Sequence, residues 1–134
     1  MDSVVAASGR ATVSLIAPGL QRLSWSPGTH IDHDDALSVL AASRVMSSDG
    51  PYAILVDMTT TVDVRSDARA AFNGESLVVA AALLGDGPMD EVLAAAACRA
   101  VHPTRYFTSV SLALTWLEER LADRQIPSGD PSFR

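Results

Sequence analysis

Between Ala11 and Ala17 the chain reads ATVSLIA, alternating apolar and polar side chains as a strand with one buried face does. Pro18 and Gly19 then turn it into a second segment, LQRLSW, so the two predict a β-hairpin. SPGTHID interrupts the alternation and opens a helix with Asp32 as N-cap, Asp35 standing three residues on and acids in the first turn. Leu37, Leu40, Ala41 and Val45, spaced i, i+3, i+4, i+8, predict its buried stripe, and the run from Ser47 to Pro51 ends it. YAILVDM, from Tyr52 to Met58, is almost continuously apolar and has the length of a central strand covered on both faces.

After three threonines, SDARAAFNG reads as a short helix with Ser66 as N-cap and Gly74 just past its end. SLVVAAALLG fits helix or strand by periodicity alone. The stop at Gly85-Asp86-Gly87-Pro88 and the alternation of elements favour a strand over about Val78 to Leu84. Pro88 suits the first position of a third helix, with Asp90 and Glu91 in its first turn, Arg99 near its end and Pro103 beyond. TRYFTS is a short strand. The closing helix SLALTWLEERLADR, capped by Thr108 or Ser109, sets Val110, Ala113, Leu114, Leu117 and Leu121 on one apolar stripe against a wet face of Glu118, Glu119, Arg120, Asp123 and Arg124.

The order ββαβαβαβα predicts an α/β (α+β) fold, a mixed sheet of about five strands with about four helices. Residues 11–124 form one domain in this reading, with a flexible stretch over 1–10 and a disordered tail over 125–134. A hydrophobic content of 48% over 134 residues is enough for one buried core, which agrees. The starting hairpin leaves a sheet edge that a second copy would cover, so a homodimer is among the arrangements the sequence admits.

Charge narrows the chemistry. All ten basic residues are arginine, which removes lysine-dependent phosphate loops and Schiff-base catalysis. They are scattered and outnumbered by sixteen acids, an arrangement that argues against nucleic acid as a partner. The single cysteine, Cys98, excludes an internal disulfide, and no segment has the form of a signal peptide or the roughly 18 apolar residues of a membrane span. The expectation is a cytoplasmic protein without membrane insertion.

Two stretches carry a family resemblance. ILVDMTTTVDVRSDARAAF holds a buried strand ending in an acid, a polar turn, and a hydroxyl at the opening of a helix; RYFTSVSLALTWL holds a strand, a cap and an alanine- and leucine-rich helix with a tryptophan. With the order of elements over about residues 11 to 124, they make the chain resemble the STAS-like family, the fold of bacterial anti-sigma-factor antagonists, and in particular its small single-domain bacterial members. The resemblance implies a protein-binding regulator in which the strand-end acid matches Asp57 and the phosphoacceptor falls on Ser66. Arg65, Asp67 and Ala68 depart from that pattern, standing where it has an acid, a second hydroxyl and a glycine.

Each candidate also has a plainer reading. Ser66 is a helix cap or a switch, and a phosphate there would meet the helix dipole with Arg65 and Arg69 at hand. Asp67 already supplies negative charge in that turn. Thr59, Thr60 and Thr61 bond the turn or accept a modification, and Asp57 holds the turn's backbone. HIDHDD, with His30, His33, Asp34 and Asp35, is the densest set of metal-ligating types, but its spacing matches no helical zinc pattern and a solvated helix start explains it. His102 reads as a helix-end cation, Cys98 as a small core residue and Trp116 as core.

No base, nucleophile and orienting group converge, so the reading is a non-enzymatic module without cofactor or metal. Its interaction surface is Asp57, Thr59, Thr60, Arg65, Asp67 and Arg69, with Ser66 as the phosphoacceptor candidate. The alternative is a module that binds a small apolar, lipid-like molecule.

Overall fold

The computed structural model describes residues 3–59, 63–85 and 101–125. Six strands form one sheet: β1 (Ser3–Ala6), β2 (Ala11–Ala17), β3 (Leu20–Trp25), β5 (Tyr52–Asp57), β7 (Val78–Leu84) and β8 (Thr104–Phe107), adjacent in that order. β1, β2 and β3 pair antiparallel, whereas β3, β5, β7 and β8 run parallel, so the sheet is mixed as the order of elements implies. Three helices accompany it among the described residues: α1 (His33–Met46), α2 (Ser66–Asn73) and α3 (Val110–Gln125). The helix expected after Pro88, Cys98 within it, and the tail after residue 125 lie outside the described residues.

The central strands bury both faces. Tyr52 and Ile54 of β5 join Leu23, Trp25, Val39 and Val78 in a core beneath α1 and α2. Ala53 and Leu55 point the other way, with Ala80, Ala82 and Leu84, and meet Ala113, Leu117 and Leu121 of α3. The ambiguous SLVVAAALLG is a strand because its alanines alternate between these two cores, keeping both helix layers close to the sheet. Trp116 packs at the margin of the second core, its ring 5.6 Å from that of Phe107, and Trp25 is in the first core.

Three expectations need correction. The stretch taken as a flexible N-terminus contains β1, which covers the hairpin edge at β2; only Ala6 of its four residues is buried, so no alternating pattern announced it. On α1 the face that packs is Asp35, Ala36, Val39, Ala42 and Ser43, while Leu37 and Val45 are exposed. Small residues on that face bring the helix close, and the same face carries Asp35, buried in its ion pair with Arg10. On α3 the stripe is right except for Val110, which is exposed at the first turn.

A second, two-stranded sheet pairs β4 (His30–Ile31) with β6 (Asp63–Val64) in parallel. It joins the chain entering α1 to the chain entering α2, and the Arg65 N–H continues it by donating to the Ile31 carbonyl at 2.9 Å. Two-residue strands leave no periodic signal in sequence.

Candidate functional site

The carboxyl ends of parallel strands are where open α/β sheets bind ligands, and here that edge carries the residues singled out in the sequence. β5 ends at Asp57. Its Oδ1 accepts from the Thr59 N–H at 3.0 Å and the Thr59 hydroxyl at 2.6 Å, and its Oδ2 accepts from Arg22 Nη2 at 3.1 Å. Partial burial pushes the Asp57 carboxyl pKa up, but the Thr59 and Arg22 bonds together outweigh it and hold the group below its ordinary range. Asp57 is therefore a turn-holding carboxylate with its oxygens engaged, while Thr59 is exposed.

Helix α2 begins differently from expectation. Arg65, with extended φ and ψ, occupies the N-cap position and its carbonyl accepts the first helical bond, from Arg69 N–H at 2.9 Å. No side-chain cap bond is made there, so Ser66 is the first helical residue and not the cap. The pull of the β4–β6 pairing on Arg65 starts the helix one residue early. Arg65, Ser66 and Asp67 are all exposed; Arg69 is half-buried and turns its Nη1 back to the Val64 carbonyl at 2.9 Å. Thr60 and Thr61 lie outside the described residues.

Behind this edge, between the sheet and the helices α1 and α2, is a cavity of about 110 Å³. It runs along β5 from Tyr52 to Met58, with Leu23, Val39, Ile54 and Val78 among its apolar walls. Arg69 and His102 also border it. The His102 ring contacts the Phe72 carbonyl at 3.3 Å and the Thr104 hydroxyl at 3.1 Å, so this histidine braces the end of α2 against β8.

Buried polar groups that no sequence pattern marked sit close by. Glu75, whose side chain is 1% exposed, takes both Arg44 Nε at 2.9 Å and Arg44 Nη2 at 2.6 Å. The Arg44 bonds hold the Glu75 carboxyl below its ordinary range against the opposing effect of burial. Gln21, Ser43 and Tyr52 are fully buried, and Gln21 Nε2 donates to the Ser43 carbonyl at 3.0 Å.

The histidine and acid cluster near residue 30 does not assemble. Asp35 is turned inward to Arg10, and His30 faces Asp63 at 3.9 Å across the small sheet. Among the described residues no three His, Cys, Asp or Glu side chains come together as a metal set, and no helix is long and apolar enough to cross a membrane.

Among the depressed carboxyls, the partly buried Asp57 and Glu75 fix a pH dependence. In the unfolded chain Glu75 and Asp57 titrate near 4.5 and 3.8, and in the folded protein both titrate lower. Their contribution to stability is therefore complete above that range and is lost as pH falls through the folded values. Urea midpoints are expected to hold between neutral pH and pH 5, then drop at pH 4 and again at pH 3. Glu75→Gln should flatten the upper part of that drop, and an unchanged profile in the variant would contradict the role given to this pair.

Structure comparison gives a solved relative of the same architecture, an uncharacterized protein from the DUF3478 family with a SpoIIAA-like fold from Shewanella loihica PV-4. It aligns with a TM-score of 0.60 at 17% identity over 87% of this chain and 98% of that one, which establishes the SpoIIAA-like, STAS-like fold. No curated protein matches the sequence. The family model for a domain of unknown function, DUF7793, matches residues 15–121, from the middle of β2 to the last turns of α3. The chain therefore belongs to the DUF7793 family.

Proposed function

We propose that the chain is a non-catalytic STAS-like binding module that engages a protein partner through the entry to α2, with Arg65, Ser66 and Asp67 at its centre. Asp57, Thr59 and Arg69 hold the surrounding turn and helix start in shape. The observation that carries this reading is the position of Ser66. It is exposed in the first turn of a helix that is started by the Arg65 backbone, so capping no longer accounts for a serine there. A phosphate on Ser66 would meet the positive end of α2 and the Arg65 side chain, with Asp67 reducing the contrast between the two states.

The test compares partners that co-purify with the wild type, Ser66→Ala and Ser66→Asp in the native host. A partner kept by the alanine variant and lost from the aspartate variant is the expected result. Equal recovery with both variants would sink the switch.

The cavity favours a second reading, a module that holds a small apolar molecule between the sheet and α1–α2.

A further inference from the structure

We propose that the cavity takes a small uncharged amphiphile, an apolar body about the size of a benzene ring carrying one hydroxyl or amide group, and that Ser43 and Tyr52 are the residues that bind that group. The proposal rests on the second reading above and names its ligand class.

Size sets the first limit. A cavity of about 110 Å³ is somewhat smaller than an engineered apolar cavity of about 150 Å³ that admits benzene, so it suits a single ring or a short chain and not a long acyl tail. The walls supplied by Leu23, Ile54 and Val78 offer such a body nothing but apolar contact.

The second limit is polar. Ser43 and Tyr52 both line the cavity and both are fully buried; the Tyr52 hydroxyl lies against the Ser43 side chain and the Glu75 carboxylate, yet neither hydroxyl makes a hydrogen bond of good geometry among the described residues. Gln21, which does not line the cavity, binds the Ser43 carbonyl through its amide nitrogen and so holds this part of α1 in place. Buried polar atoms are nearly always well bonded, so two poorly bonded hydroxyls side by side on the cavity wall mark a place where a hydrogen-bonding group belongs. Two hydroxyls together both donate and accept. A ligand hydroxyl or amide can answer both demands.

Charge sets the third limit. Among the described residues the ionised groups acting on Tyr52 are Glu75 and Arg44, and they satisfy each other in a bidentate pair. Burial and the Glu75 carboxylate both keep the Tyr52 phenol protonated. A carboxylate placed there would lose its hydration and find no free cation, and an ammonium would find no free anion. Arg69, the cation elsewhere on the cavity wall, is turned to the Val64 carbonyl near the other end of β5.

Three probes of matched shape decide the matter by calorimetric titration: benzyl alcohol, toluene and benzoate. Benzyl alcohol is expected to bind one to one, about tenfold more tightly than toluene, the gain of roughly one or two satisfied hydrogen bonds. Benzoate should bind more weakly than either. Ser43→Ala and Tyr52→Phe should each erase most of the preference for the alcohol over toluene, with a wild-type far-UV circular dichroism spectrum and a cooperative urea transition as the check that the variant is folded. If toluene and benzyl alcohol bind the wild type equally, the head-group assignment is wrong while the cavity reading stands. If none of the three binds, both are wrong. Preference for benzoate would move the head group to Arg69 and overturn the proposal.

Discussion

Leu117→Ala is expected to lower the stability of the domain by about 2–5 kcal/mol, read as a shift of the urea midpoint at constant slope. Leu117 is fully buried and lies between Ala113 and Leu121, against the Ala80 and Ala82 face of β7. The cost of such a truncation depends on how far the surroundings collapse into the hole. Alanines on the strand have no side chain to swing inward, and the flanking turns of α3 are held by Ala113 and Leu121, so collapse is limited and the upper half of the range is favoured. Against a typical domain stability of about 5–15 kcal/mol the loss is large enough to leave the variant partly unfolded at moderate temperature. Leu112→Ala, on the same helix but 64% exposed, is the control and should stay within about 0.5 kcal/mol of the wild type. If the two variants behaved alike, α3 would not be anchored by this stripe.

The same contrast explains how far the sequence reaches. Long apolar or alternating runs gave their elements correctly: β2, β3, β5 and β7 lie where ATVSLIA, LQRLSW, YAILVDM and SLVVAAALLG placed them. Asp32 caps α1 through the reciprocal bonds with Asp35 that their spacing suggested. What failed was decided by partners distant in sequence. Leu37 and Val45 looked like the packing face of α1, but the face turned inward is the one that carries Asp35, paired with Arg10 twenty-five residues before it. Ser66 looked like a cap, but pairing of Val64 with Ile31 sets Arg65 in that role. At the candidate sites the outcome divides in the same way. The α2 entry could be singled out as a candidate because its residues are consecutive; the Ser43–Tyr52 end of the cavity could not, because its members come from a helix and a strand and read singly as an ordinary serine and a strand tyrosine.

Asp35→Ala should cost about 2–3 kcal/mol, an unusual amount for an acid in the first turn of a helix. Asp35 is 2% exposed; its carboxylate takes both terminal nitrogens of Arg10 and also the Asp32 N–H at 3.0 Å. Arg10 in turn donates Nε to the Ala7 carbonyl at 3.0 Å. That carbonyl belongs to a turn in which Ala7, Ser8 and Gly9 all have positive φ, a conformation that disfavours the first two residues. The pair therefore clamps a strained turn between β1 and β2 to the start of α1. Arg10 is 44% exposed and regains water when Asp35 is removed, which keeps the loss below that of a fully buried pair. Removing Arg10 instead leaves a buried carboxylate with only the Asp32 N–H bonded to it, so Arg10→Ala should be at least as destabilising as Asp35→Ala. The double variant should then lose about 1–3 kcal/mol less than the sum of the singles. Amide exchange supplies the second readout, since in either variant the β1 amides should lose protection before those of β5. Additive losses, or β1 protection equal to the wild type's, would show that the edge strand is held by its pairing with β2 alone.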